Sequence, residues 1–490
     1  MLNLKSGSDI RGVAIDNANP EKIDLTDEVI KRISIGFARF LGEKISTDIS
    51  NLKISIGHDS RLSANRIKSA ALSGLSPMIT QIFDCGLSST PAMFRSTEHL
   101  GCHGAIMITA SHHPADRNGL KFFTAEGGVT GSDIDAILRF ASGAEIFENC
   151  LKDNVEKVNF TAIYAASLRK IICDKLGCKE SENPLNGLKI TVDAGGGAGG
   201  FFAREVLVKL GADISSSVLL EPDGTFPVHV PNPEDKAAIE YLKSAVLSAK
   251  SDFGVIFDTD VDRAGFVDEN GNEINKSSLV ALASAIVLQE SDGAAIVTDS
   301  ATNADMTRFV ESFGGRHHRF KRGYANVINE AKRLNELGEN ALLAIETSGH
   351  AAFKNNDFLD DGAYLACLIV AKMVEMKRAG KSLLSLIKDF KLPTSEAEKR
   401  INIVNSNFKA YGESVIGSFK NHLEKQGFKQ AEDDREGARM LHSSGDYFVA
   451  LRLSVHDPVL IVNTESYEEN ASEIMEGLQE FFKKFDELAF

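Results

Sequence analysis

Cysteine is scarce in this chain: six in 490 residues, none of them in a Cys-x-x-Cys pair. Cys85, Cys102, Cys150, Cys173, Cys178 and Cys367 stand mostly among apolar neighbours, which points to reduced, buried thiols in a cytosol-like compartment. Long apolar runs are missing too. The longest, near 364–374, is too short to span a bilayer, and Met1-Leu2-Asn3-Leu4-Lys5 lacks the apolar core of a signal peptide. Positive charge is in deficit: 54 Lys and Arg against 69 Asp and Glu leave −15, and no basic stripe offers contacts to nucleic acid phosphates. The expectation is therefore a cytoplasmic protein with no membrane and no nucleic-acid partner, a removed organellar leader being the alternative. An anionic small substrate would need local arginines or a metal for its attraction.

What is present is ordinary globular composition, 43% hydrophobic and 25% charged, in a chain long enough for roughly three or four domains. The pattern alternates strand and helix. Residues 53–57 read as a strand, 63–75 as a helix and 104–109 as a strand. The pattern restarts at 188–193, followed by Gly195-Gly196-Gly197-Ala198-Gly199-Gly200 and a helical 201–210. It restarts again at 294–299 and at 342–346, with a helix over 361–378. Repeated βα units predict open α/β sheets with ligand loops at the strand ends. From about Ser395 the pattern changes to a strand at 399–404, a helix at 407–426 and consecutive strands at 438–441, 447–455 and 459–465, an antiparallel α+β module. The glycine-rich loop after 188–193 lacks a clear acidic partner at the next strand's end, so it reads as a close-packed turn rather than a dinucleotide fingerprint.

Two strand ends carry chemistry. Gly104–Ile108 is followed by Thr109-Ala110-Ser111-His112-His113-Pro114, which puts a serine on a turn. Phe253–Phe257 is followed by Asp258-Thr259-Asp260-Val261-Asp262-Arg263. If the strand continued, alternation would send carboxylates into a sheet face at a large cost; if the backbone curls, all three converge. Converging carboxylate oxygens suit a hard cation such as Mg²⁺, which keeps part of its shell for phosphate, and Arg263 adds a fork that fits phosphate. No glycine follows Asp262, which disfavours an EF-hand. The adjacent His317-His318 would point to opposite faces of a strand, which disfavours a histidine metal site.

Together these motifs resemble the α-D-phosphohexomutase superfamily, which includes phosphoglucomutase, phosphomannomutase and phosphoglucosamine mutase. The serine loop continues into Asn118-Gly119-Leu120-Lys121 as the family's does. The acidic loop matches the family's Asp-Gly-Asp-x-Asp-Arg except at Thr259. Glu346-Thr347-Ser348-Gly349-His350 is similar to its sugar loop, and Arg452-Leu453-Ser454-Val455-His456-Asp457-Pro458 to its phosphate loop. All four occur in the family's order over most of the chain. Asp9-Ile10-Arg11-Gly12, Gly57-His58-Asp59-Ser60-Arg61 and Glu221-Pro222-Asp223-Gly224 are further matches.

The resemblance implies three similar α/β domains with mixed sheets plus a smaller C-terminal α+β domain around a central cleft. They would be 1–155 with the phosphoserine loop, 156–275 with the metal loop, 276–395 with the sugar loop and 396–490 binding phosphate. It also implies the chemistry: a phosphoryl group carried on Ser111, Mg²⁺ held by Ser111, Asp258, Asp260 and Asp262, and a hexose 1,6-bisphosphate as intermediate or activator. Ser111, Lys121, Arg263, Arg11 and His350 would be catalytic, with Lys121 the general acid/base. Glu346, Ser348, Tyr324, Arg452, Ser454, His456 and His112 would bind substrate. Arg61 would help hold the serine loop. The partners implied are small sugar phosphates, the chain acting as monomer or homodimer.

His113, Arg117, Ile345, Tyr324 and the Val455-His456-Asp457 stretch depart from the common pattern, as in an outlying branch. A glucose or mannose phosphate mutase is the leading expectation. A hexose 1,6-bisphosphate synthase using a bisphosphate donor and a phosphoglucosamine mutase are the rivals. A metal-dependent phosphomonoesterase and a non-catalytic sugar-phosphate sensor are more distant.

Overall fold

The computed structural model describes residues 2–15, 23–146, 152–454 and 457–489. The chain divides into two compact units. One comprises Met1–Asn275 with Ser348–Ala351 and Leu359–Leu383; the other comprises Lys276–Thr347, Ala352–Phe358 and Leu384–Phe490. Cys150 and His456 fall outside the described residues.

In the first unit, eight strands form a mixed sheet. Lys53–His58 pairs in parallel with Gln81–Leu87 and with Gly104–Ile108, and Gly104–Ile108 pairs antiparallel with Arg117–Thr124. Gly104–Ile108 is buried along its whole length, as a strand covered on both faces must be. The helices Asp27–Lys44, Ala64–Leu75 and Gly131–Ser142 close one apolar core around Phe37, Ile54, Ile106 and Phe122. Each of these strands delivers its loop from an end fixed by the hydrogen-bond ladder, which places the serine turn at a rigid strand terminus.

A second sheet in this unit pairs Ile190–Asp193 in parallel with Phe253–Phe257, which pairs antiparallel with Ala264–Asp268. The acidic loop is therefore the connection between two antiparallel neighbours, and the aspartates leave the sheet together. The helical stretch expected over 201–210 is a π-helix, Phe202–Leu207, followed by a 3-10 turn, Val208–Leu210. The preceding loop is packed tightly, as expected: a Cβ on Gly197 would lie 2.6 Å from the Thr259 carbonyl oxygen. That contact presses the glycine loop against the acidic one.

In the second unit, Ala295–Thr298 pairs in parallel with Arg316–Arg319 and with Ala341–Ile345. His317 and His318 do face opposite ways: His317 meets the Thr298 and Thr307 hydroxyls, and His318 meets Glu330. Ser395–Ile403, Ala438–Leu441, Tyr447–Leu453 and Val459–Ser466 belong to a six-stranded antiparallel sheet that buries Phe419 of the helix Phe408–Glu424. Three α/β sheets and a fourth antiparallel module are thus present. Among the described residues no helix is long and apolar enough to cross a membrane.

One group in the fourth module has a consequence for stability. Glu465 has its Oε2 sealed from solvent without a hydrogen bond, and burial pushes its carboxyl up to about 7 despite the nearby Arg439. The folded state then holds this proton more tightly than the unfolded chain, so this group's contribution to stability is most favourable below the ordinary carboxylate range and is lost as pH rises through about 7. Glu465→Gln is expected to flatten that slope and to stabilise the protein by about 1 to 3 kcal/mol at pH 8, read from urea unfolding midpoints between pH 5 and pH 8.

Candidate active site

Ser111 follows its strand in a left-handed backbone conformation, φ 51°, with its amide donating to Thr109 Oγ1 at 2.8 Å. The turn is gripped from behind by Arg61, whose guanidinium donates to the carbonyls of Ser111 (2.5 Å), His113 (2.6 Å), Pro114 (2.7 Å) and Arg117 (2.9 Å). Arg61 is itself buried and paired with buried Asp59 at 3.3 Å. One planar fork satisfying four carbonyls fixes the serine loop as a unit.

The acidic loop is also strained: Val261 sits at φ 66°, a conformation that costs a β-branched residue about 1 to 3 kcal/mol. The strain is held in place by neighbours. Thr90, at the start of the helix Thr90–His99, donates its amide to the Asp260 carbonyl at 2.8 Å and its hydroxyl to Asp260 Oδ2 at 2.5 Å. Gly362 donates its amide to the Val261 carbonyl at 3.1 Å, and only glycine fits there, because a Cβ would lie 2.6 Å from the Arg263 carbonyl carbon.

The two loops meet. Ser111 Oγ donates to Asp258 Oδ2 at 3.1 Å, and one oxygen from each of Asp258, Asp260 and Asp262 lies within 4.8 Å of the others. Lys121 Nζ bridges Asp260 Oδ2 (3.0 Å) and Asp262 Oδ2 (2.5 Å). Arg263 Nε donates to Asp258 Oδ2 at 3.1 Å, and its Nη1 to Asn232 Oδ1 at 3.0 Å. His350 Nδ1 lies 2.6 Å from Asp360 Oδ2 and 3.8 Å from Asp262 Oδ1. Arg11 is tied to Asp9 at 2.7 Å. His112 Nδ1 is 3.2 Å from Ser111 Oγ.

The site's electrostatics fit a cation. Ser111, Lys121, the three aspartates and Arg263 are all buried. Asp260 Oδ1 and Asp262 Oδ1 are buried with no hydrogen-bond partner, as is Arg263 Nη2, a costly arrangement that a ligand would relieve. Burial, and then the neighbouring Asp262, push the Asp258 carboxyl far above its ordinary range. Burial would raise Asp262 as well, but Lys121, His350 and Arg263 outweigh it and hold that carboxyl low. Burial would lower His350, yet Asp360 and Asp262 lift it to about 9. His112 is exposed at its surface, yet desolvation by the surrounding atoms and then Arg263 push its ring down, which favours the neutral form. A hard divalent ion among oxygens with two orphaned acceptors is the chemistry this donor set suits.

The residues of the second unit form their own groupings. Glu346 Oε1 accepts the Gly323 amide at 2.5 Å, which brings it beside Tyr324 at the start of the helix Tyr324–Glu336. Arg452 is buried; burial and then Arg322 lower its affinity for its proton, while Glu436 and Glu398 oppose that shift. Ser454 Oγ accepts the Asp457 amide at 3.3 Å. Ser348, in the first unit, is buried with its hydroxyl unpartnered. His456 lies outside the described residues.

Comparison with known proteins settles the family. Phosphoglucomutase/phosphomannomutase alpha/beta/alpha domain I matches residues 3–145, domain II residues 162–271 and domain III residues 275–391. The phosphomannomutase of Salmonella montevideo is 31% identical over 447 residues, covering 90% of this chain and 92% of the relative. The chain belongs to the phosphoglucomutase/phosphomannomutase family. A phosphomannomutase/phosphoglucomutase of Pseudomonas syringae pv. tomato is 27% identical over 474 residues, 96% of this chain and 92% of the relative. The crystal structure of a family protein from Burkholderia thailandensis has a similar fold, with a TM-score of 0.78 at 22% identity over the full length of both chains. Membership in the phosphoglucomutase/phosphomannomutase family makes this chain a phosphohexomutase, an intramolecular phosphotransferase, and the acidic cluster is compatible with Mg²⁺.

Sequence reading did not single out Thr90, Asn232 or Asp360. Asp360 and Asp361 stand at the start of the helix expected over 361–378, and nothing local tells which carboxylate turns away from the cap. The cluster yields a direct expectation. Asp260→Asn removes one charge where an oxygen is already orphaned, so it should weaken Mn²⁺ binding at least tenfold with the far-ultraviolet circular dichroism unchanged. Titration calorimetry on the full chain checks it.

Proposed function

We propose that this phosphohexomutase moves phosphate between C1 and C6 of a glucose or mannose phosphate, with Ser111 as the phosphoryl carrier and a hexose 1,6-bisphosphate as intermediate. The observation that carries this reading is the 3.1 Å contact between the Ser111 hydroxyl and Asp258 in a buried cluster with orphaned carboxylate oxygens.

A serine hydroxyl is a weak nucleophile, so the competent form is the phosphoserine. Phosphoserine Ser111 gives its phosphoryl group to a free hydroxyl of the hexose monophosphate, and the serine oxygen takes up a proton. The resulting bisphosphate turns around and returns its other phosphoryl group to Ser111. Such transfer depends on positioning and charge neutralisation more than on covalent help. Asp258, Asp260 and Asp262, with the phosphorylated Ser111, would hold Mg²⁺, which when bound draws off charge building on phosphoryl oxygens. Arg263, with Nη2 unpartnered in the buried site, neutralises the transferring group. Lys121 and His350 exchange the proton of the sugar hydroxyl, and Arg11 receives phosphate oxygens. His112, neutral beside Ser111 Oγ, orients the serine.

We assign sugar reading to Glu346, Ser348 and Tyr324. Buried acceptors and hydroxyls select sugar hydroxyls because an analogue lacking them leaves protein groups unpaired. Arg452, Ser454 and His456 hold the phosphate that is not reacting. Remote binding of that kind keeps the ligand through both orientations.

Intact-mass analysis after treatment with glucose 1,6-bisphosphate should show one added phosphate on wild type and none on Ser111→Ala. ³¹P NMR with glucose 1-phosphate and mannose 1-phosphate should show the 6-phosphate forming with wild type and a loss of at least a thousandfold in turnover in the variant. Full turnover by Ser111→Ala would remove Ser111 from the reaction; steady release of inorganic phosphate would mark a phosphomonoesterase instead.

A further inference from the structure

His350 stands in the proposed proton-transfer machinery, but its ring is aimed by a residue that no motif marks. Asp360 is 8% exposed and uses both carboxylate oxygens on the same short segment. Oδ2 meets His350 Nδ1 at 2.6 Å, and Oδ1 accepts the amide of Ala351, the next residue, at 3.1 Å. Side chain and backbone are thus clamped by one group.

The clamp is anchored on both sides. Asp361 accepts the Tyr364 amide at 2.8 Å as the N-cap of the helix Gly362–Arg378, accepts the Tyr164 hydroxyl at 2.6 Å, and donates its own amide to the Ala351 carbonyl at 3.1 Å. Gly362 is keyed to the backbone of Val261 and Arg263. His350 is bridged to Arg263, and the Ala264 amide donates to the Gly349 carbonyl at 3.4 Å. Asp360 therefore occupies a fixed point relative to both the acidic loop and the histidine.

We infer that Asp360 is a positioning residue of the reaction: it fixes the His350 ring and its tautomer, so that any proton His350 gives or takes passes through Nε2. A nitrogen facing a carboxylate at this distance is the one that carries hydrogen. A ring held from one nitrogen by a buried carboxylate keeps its orientation through repeated turnovers, as when a carboxylate orients a histidine elsewhere in enzymes. The inference rests on His350 acting in the mutase reaction proposed above. It adds that Asp360 acts only through that ring.

The test uses the full chain with Mg²⁺ and glucose 1-phosphate, and compares wild type, Asp360→Asn, His350→Gln and the double variant. Asp360→Asn should lower kcat about tenfold to a hundredfold with KM changed by less than a factor of about three, and the double variant should be no slower than His350→Gln alone, since residues acting as one unit are not additive. Independently, ¹⁵N-edited NMR of wild type, with the His350 signals identified by their loss in His350→Gln, should show a deshielded proton on Nδ1 that shifts or disappears in Asp360→Asn. Multiplying losses in the double variant, an unchanged kcat in Asp360→Asn, or a wild-type ring protonated at Nε2 alone would each overturn the inference. If wild type turns over neither glucose nor mannose 1-phosphate, the reading beneath it has failed instead, and the ring's tautomer still decides whether Asp360 aims His350. The wild-type spectrum also decides it if Asp360→Asn does not fold.

Discussion

Burying like charges is the constraint on which the first unit turns. Asp258, Asp260 and Asp262 are almost wholly removed from water, and three carboxylates in one dry site repel each other strongly. The fold answers with Lys121 between Asp260 and Asp262, Arg263 against Asp258, and His350 near Asp262. The answer is incomplete, since Asp258 is pushed up and two carboxylate oxygens remain unpartnered. An incompletely neutralised anionic nest beside a serine hydroxyl is a place where a divalent cation and a phosphate group complete the charge balance together. A divalent cation held there, rather than the chain's net charge of −15, would set the potential that an anionic ligand meets.

Much of the surrounding architecture maintains that arrangement. Arg61 spends its guanidinium on four backbone carbonyls rather than on a ligand, so the serine loop does not drift. Thr90 and Gly362 hold the acidic loop from two directions. Left-handed backbone at both Ser111 and Val261 shows strain concentrated where the two loops face each other, sustained because neighbouring contacts overdetermine it. In the second unit buried Arg319, paired with half-exposed Asp433, and buried Arg439, which donates to the Ser300 carbonyl, link the α/β sheet to the antiparallel module.

The protonation of the two histidines near the cluster follows from surroundings rather than residue type. His112, exposed, and His350, half-buried, both stand near Ser111 and the aspartates. His112 faces cations and is neutral; His350 faces two carboxylates and is held protonated. Two identical side chains are thus pushed toward different protonation states within one site by their surroundings.

The amino-acid order alone determined the strand ends that carry Ser111 and the acidic loop, the α/β character of the first three segments and the change to antiparallel strands after Ser395. Those features are written in apolar runs and in residues that cannot stay inside a sheet. Lys121 is marked only by the family resemblance, and it lies inside the strand Arg117–Thr124 rather than on a loop. The amino-acid order did not show that Phe202–Leu207 would wind as a π-helix, since apolar periodicity does not separate the π from the α form. Nor did it distinguish Asp360 from its neighbour Asp361: both precede a helix, and only the packed chain reveals that one caps it while the other turns to His350. Thr90 and Asn232 were silent for the same reason, as hydroxyl and amide groups acquire meaning only from what lies across space. Periodicity and motif are local and survive in one dimension, whereas the pairing of buried polar groups is decided by distances that exist only after the sheets have assembled.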